Sequence, residues 1–132
     1  MFSVIIAGGR TFNDYPLLKQ KCDIILKDKT DIEIVSGGAK GADHLGELYA
    51  AGQGYRIKRF PALWDKIDIK PCKIKYNKFK QPYNTLAGLN RNLLMGKYAD
   101  ALIAFYNGSS GTKNMIGIAE KLNLLIRIIR YV

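Results

Sequence analysis

Histidine, cysteine and acidic side chains are all scarce in this chain. His44 is the only histidine. It has no partner at metal-ligand spacing, which makes it a surface or packing residue rather than a catalytic one. Cys22 and Cys72 stand apart from each other and from any His. That excludes a thiolate metal knuckle and reads as two reduced thiols in a cytoplasmic protein. No apolar run approaches the ~20 residues of a membrane span. No basic stretch precedes the first apolar run, so no signal peptide is expected. Solenoid repeats and low-complexity tracts are also missing. Asp and Glu number 11 against 21 Lys and Arg, a net charge of +10. That excess suits anionic partners such as nucleotides, nucleic acid or phosphorylated metabolites, or serves solubility alone.

Against these absences stands a surplus of glycine. Glycine-rich turns recur at Gly8-Gly9-Arg10, at Ser36-Gly37-Gly38-Ala39-Lys40-Gly41-Ala42-Asp43, and at Asn107-Gly108-Ser109-Ser110-Gly111-Thr112. Each follows an apolar run: Val4 to Ile6, Ile32 to Val35, and Ala101 to Phe105. Strand, glycine turn and helix in that order form a floor of backbone N–H groups suited to a phosphorylated ligand.

At 132 residues the chain is expected to be one domain, residues 1–132, that folds without disulfide or metal. Strands are expected over Phe2 to Ala7, Ile32 to Val35, Tyr55 to Phe60, Ala101 to Phe105 and Leu124 to Arg130. Between them the apolar spacing predicts helices. The first starts at Asn13-Asp14-Tyr15-Pro16, with Tyr15, Leu18, Cys22, Ile25 and Leu26 recurring at helical spacing. The second starts near Gly41, buries Leu45, Leu48 and Tyr49, and ends at Gly52 or Gly54. The third runs from Leu86 to Lys97, with Leu86, Leu89, Leu93 and Leu94 forming its apolar side. The last spans Thr112 to Leu122. Alternation of this kind implies an α/β fold with a parallel sheet. The third and fifth strands carry Arg56, Lys58, Arg59, Arg127 and Arg130, which suits sheet edges. The expected strand order is therefore 3-2-1-4-5. Its winding reverses between strands one and four, where such sheets bind ligands. A lysine-rich insertion at about 64–85 shows no clear period. It is read either as a solvated excursion or as a nucleic-acid or subunit contact through Lys66 to Lys80.

Several residues could carry chemistry. Asp43 either bonds a ribose hydroxyl or serves the helix dipole. Arg91 and Asn92 belong on the polar side of the leucine-rich helix, where the arginine either grips a phosphate or is simply solvated. Trp64 could stack a base or anchor the core. The Ser36–Asp43 turn lacks the Gly-Lys-Ser/Thr ending of a P-loop, which argues against ordinary triphosphate hydrolysis. The first turn does not complete Gly-x-Gly-x-x-Gly, which argues against classical NAD chemistry.

A wider pattern emerges when the motifs are taken together. Ile6-Ala-Gly-Gly-Arg10-Thr-Phe, Ser36 to Asp43, Phe60-Pro-Ala-Leu-Trp64, Ala87-Gly-Leu-Asn-Arg91-Asn92-Leu-Leu-Met95, Ala99-Asp100 and Gly108-Ser-Ser-Gly-Thr112-Lys-Asn114-Met115 occur in that order. Together they resemble the YspA-type branch of the SLOG superfamily, which also holds the LOG phosphoribohydrolases and part of the DNA-processing protein DprA. The resemblance implies a Rossmann-like three-layer fold, a nucleotide or nucleotide-derived ligand, a ligand-sensing role and homo-oligomers. In the hydrolytic LOG enzymes the last loop reads Pro-Gly-Gly-x-Gly-Thr-x-x-Glu and ends in a catalytic glutamate; Met115 holds that position here. A thioether cannot act as a general base. The expected role is therefore binding, with Asp43, Glu47 and Arg91 the weak candidates for catalysis and no metal or other cofactor called for. The expected ligand contacts are Gly8, Gly9, Arg10, Ser36, Gly37, Gly38, Gly41, Ala42, Asp43, Arg91, Asn92, Asn107, Gly108, Ser109, Ser110, Gly111, Thr112 and Asn114. No membrane partner is expected.

Overall fold

The apolar runs with the fewest charges become the middle of the sheet. The computed structural model describes residues 1–62, 73–76, 82–84 and 86–131. Its elements are β1 (Phe2–Gly8), α1 (Tyr15–Ile25), β2 (Ile32–Ser36), α2 (Ala42–Gln53), β3 (Arg56–Arg59), β4 (Ile74–Tyr76), β5 (Pro82–Asn84), α3 (Ala87–Tyr98), β6 (Ala101–Tyr106), α4 (Ser110–Lys121) and β7 (Leu125–Arg130). Five strands pair in parallel in the order β3-β2-β1-β6-β7. This is the expected order, with β6 and β7 as its fourth and fifth strands, in a Rossmann-like α/β fold. The charged strands β3 and β7 lie at the edges.

Successive residues of a strand point to opposite faces. Val4 and Ile6 pack with Leu18, Cys22 and Tyr49 of α1 and α2. Ile5 and Ala7 pack with Met95 of α3 and with Met115 and Ala119 of α4. The result is three layers, helices on both sides of the sheet. Helix α1 begins as its sequence indicates: the Asp14 carboxylate accepts from the Leu17 amide at 3.1 Å, and Pro16 sits in the first turn. Among the described residues no helix is long and apolar enough to cross a membrane.

The two central helices of the chain depart from expectation. Leu48 of α2 is exposed rather than buried. In α3 the departure is larger. Leu89, Leu93 and Leu94 face outward, whereas Ala87, Asn92, Met95 and Gly96 are buried. The cause is proximity. α3 packs against α4 so closely that a β-carbon at Gly96 would lie 2.6 Å from Ile118 Cγ2. Small residues and one long flexible methionine satisfy that approach; a row of leucines does not. Arg91 and Asn92 are thereby turned inward. Inside the lysine-rich insertion, β4 and β5 form an antiparallel pair that no periodicity announced. Trp64, Cys72, Lys66, Lys70, Lys78, Phe79 and Lys80 lie outside the described residues.

Candidate functional site

The C-terminal ends of β1 and β6 are adjacent, with Gly8 opposite Phe105 in the register. The chain winds away to opposite sides from these two strands, which leaves a crevice between their following loops. A cavity of about 470 Å³ fills that crevice, within the range of roughly 300–1,000 Å³ usual for small-ligand sites. The first loop contributes Gly8, Gly9, Arg10 and Thr11 to it, the second Ala39 and Asp43, and the third Asn107 and Ser109 to Thr112. α3 adds Arg91 and Asn92, and the thioethers of Met95 and Met115 supply an apolar floor. All three glycine turns thus meet at one place. A neighbouring cavity of about 400 Å³ is lined by Gly37, Gly38, Lys40, Pro61 and Ala62, and shares Arg10, Ala39 and Arg91 with the first.

The loops are locked together by glycine at close approaches. Gly41 has φ +79°, and a β-carbon there would lie 2.2 Å from the Gly9 carbonyl oxygen. The same carbonyl accepts from the amides of Phe12 and Ala42. Gly37 leaves room for two side chains, since a β-carbon would fall 2.6 Å from Arg91 Nη1 and 2.8 Å from Asp43 Oδ2.

Arg91 is held from two directions. Its Nη1 donates to the Gly37 carbonyl, and its Nε donates to Asn92 Oδ1 at 2.9 Å. Asn92 Nδ2 in turn donates to Asn114 Oδ1 at 3.0 Å, which links α3 to α4. Burial draws the Arg91 guanidinium down from its ordinary pKa; Asp43 opposes that and the like charge of Arg10 adds to it. An arginine stays protonated under such shifts, so the cavity keeps its positive charge. Asp43 is 7% exposed. Desolvation raises its pKa, against the lowering effects of the Ala39 amide and of Arg91. The carboxylate accepts from the Ala39 N–H at 3.2 Å, so it folds the second loop back on itself while facing the cavity.

The third loop is built differently. Ser109 Oγ donates to Thr112 Oγ1 at 2.7 Å, and Thr112 is buried. The first amides of α4 have no partner within the helix, and among the described residues no side chain caps them. They open toward the cavity beside Ser110 and Gly111 and suit an anion.

Some expected residues take other places. Ser36 lies beneath the second loop, where its hydroxyl donates to Glu47 Oε2 at 2.7 Å and accepts from the Gly38 amide at 3.0 Å. Glu47 also pairs with Arg59 and does not line the cavity. Burial pushes its pKa up, but the bonds from Arg59 and Ser36 bring it below the ordinary value. Ala42, Gly41, Gly108 and Asn114 are near the cavity without lining it. His44 is exposed. The sequence reading missed Ala7, Thr11, Ala39, Gly88, Leu89, Met95 and Met115 as lining residues. The small residues Ala87, Gly88 and Gly96 on α3 were the available signal of a helix face in close contact.

Comparison with known proteins follows from this geometry. Residues 2–66 match the YspA, cpYpsA-related SLOG family. That stretch holds the first two glycine loops; the cavity joins them to α3 and the third loop beyond it. No curated protein matches the chain in sequence. Among solved structures, DNA processing protein A (DprA) from Streptococcus pneumoniae superposes with a TM-score of 0.70 at 18% identity, over 99% of this chain and 50% of that one. DNA processing protein A from Helicobacter pylori, a protein with a single-stranded DNA binding mode, gives 0.63 at 20% identity, over 96% and 64%. The protein TM1055 gives 0.61 at 18% identity, over 96% and 72%. This chain therefore spans half the length of the pneumococcal protein, and the likeness is one of fold. Residues 2–66, just under half of the chain, thus carry the sequence pattern of the YspA-related SLOG family, and nearly the whole chain shares its fold with these structures.

Proposed function

We propose that the protein binds a nucleotide or nucleotide-derived small molecule at the switch-point cavity, as a sensor or a sequestering protein. One observation carries the reading: three loops and α3 converge on a single cavity that pairs uncapped helix amides with Arg10 and Arg91. In this reading the phosphate sits at Ser110 to Thr112, and Asp43 accepts from a sugar hydroxyl or a base N–H. The methionine floor packs an apolar ring face. Calorimetry with a panel of nucleoside phosphates and ADP-ribose-like compounds tests it. Arg91→Ala should weaken binding by about tenfold or more, as expected for a charge-assisted contact. Silence across the panel, or full affinity in that variant, overturns the reading.

Hydrolysis of an N-glycosidic bond is the second reading, favoured by Asp43, the only carboxylate lining this cavity among the described residues. It predicts release of free base, lost in Asp43→Asn; a nucleotide still intact after long incubation excludes it. Nucleic-acid binding is a third, supported by the single-stranded DNA binding of the Helicobacter pylori protein and by exposed Arg56, Lys58 and Arg59 on β3. It predicts affinity falling steeply with salt and lost on deletion of residues 66–80. We further propose that the protein is cytoplasmic and self-associates, with Leu93 and Leu94 of α3 as the apolar surface. A monomer by light scattering at all concentrations would end the latter proposal.

A further inference from the structure

The neighbouring cavity differs in kind from the main one. Three cations reach it, Arg10, Lys40 and Arg91, and no carboxylate lines it among the described residues. The rest of its described wall is backbone of the second loop with Pro61 and Ala62. Among the described residues it has no large apolar side chain to hold a base and no acid to accept from a sugar hydroxyl. Positive charge in a concave wall concentrates anions. The main cavity already has its own anion end at the start of α4, together with its apolar floor. At about 470 Å³ it is large enough for a drug-sized ligand by itself. A nucleotide with a single phosphate group would leave the second space of about 400 Å³ without an occupant.

The two spaces share one wall, made by Arg10, Ala39 and Arg91. Arg91 cannot retreat from that wall, because Gly37 O and Asn92 Oδ1 hold its guanidinium. A ligand in the main cavity can therefore pass a group along the two arginines into the second. We propose that this second cavity is an anion subsite, and that the ligand carries two separated anionic groups, as a bisphosphorylated nucleoside does. Among the described residues Lys40 is the cation that belongs to the second space alone, and it decides between ligands with one phosphate and with two. This inference rests on the nucleotide-binding reading above.

Calorimetry with the 5′-monophosphates and the 3′,5′-bisphosphates of the four common ribonucleosides tests it on the full chain. The expected result is a bisphosphate that binds about tenfold or more tightly than its monophosphate. In Lys40→Ala the ratio of the two affinities should fall to near one, and Lys40→Arg should restore most of it. A thermal melt of each variant reports whether it is folded. If a monophosphate binds and its bisphosphate binds no tighter, the second subsite is refuted while the nucleotide site stands. The same holds if the gain survives in folded Lys40→Ala. If neither series binds, the nucleotide site itself fails and takes this inference with it.

Discussion

The second and third glycine loops look alike on paper and behave oppositely in space. Each joins an inner strand of the sheet to a helix. In the second loop the Gly38 amide is spent on Ser36 and the Ala39 amide on Asp43. Glu47 fastens Ser36 from below, and Arg91 takes the Gly37 carbonyl. The third loop has the Ser109–Thr112 hydroxyl bond and a bond from Asn92 Nδ2 to the Gly111 carbonyl, and among the described residues no side chain caps the α4 amides behind it. The difference is one of acids. Asp43 and Glu47, four apart on α2, reach back and tie up the second loop; the third loop runs into a helix with no acidic residue in its first turn. A glycine loop with its own carboxylates has its amides satisfied from within, and one without them leaves its amides open to an anion. Glycine content alone does not separate the two.

That contrast can be broken from either side. The largest effect is expected at Gly37. Gly37→Val would drive Arg91 and Asp43 apart and should lower nucleotide affinity by about a hundredfold, with the fold preserved by circular dichroism. Gly41→Ala attacks the junction of the first and second loops and should cost roughly 2–4 kcal/mol in urea unfolding, because both φ and the Gly9 carbonyl oppose a side chain. Ser110→Asp tests the third loop. A carboxylate at the first turn of α4 should stabilise the protein by about 0.3–1 kcal/mol while reducing anion binding about tenfold. A variant that binds anions normally would show that the α4 amides are not the cradle.

The smallest effects concern pH. Burial raises the Asp43 pKa in the folded state, so its contribution to stability is full below the unfolded pKa and lost as pH rises through the folded value. Glu47 has a lowered pKa, so its contribution is present above the unfolded value and lost as pH falls through the folded one. Urea midpoints from about pH 3 to pH 7 should therefore lose their decline toward neutrality in Asp43→Asn and part of their decline toward acid in Glu47→Gln. Identical profiles for both variants would mean that the two carboxylates do not differ in environment.

Legibility followed the range of the interactions. Helix α1 was read correctly because its cap and its proline are local signals and its buried Leu18 and Cys22 fall at helical spacing. In α3 the same kind of periodicity misled. Leucine spacing chose Leu89, Leu93 and Leu94 as the inner side, while packing against α4 required Ala87, Met95 and Gly96 there. The error carried over to the site, since Arg91 and Asn92 were assigned to the outer side of the helix. The residues of all three loops were nonetheless named in advance, because glycine after a strand is a local signal. Which of them line the cavity, and which, like Ser36 and Glu47, support it from beneath, was not local.

The order of the strands, the charged edges and the position of the glycine turns were determined by the sequence alone. They depend on backbone geometry and on whether a strand can be covered on both faces, and both are written in short runs of residues. The inward turn of α3, the opposite pKa shifts of Asp43 and Glu47, and the choice of free amides were decided only in the tertiary structure. Each depends on what a distant segment places within a few ångströms, and neither the desolvation nor the hydrogen bonds that result exist until the layers have closed.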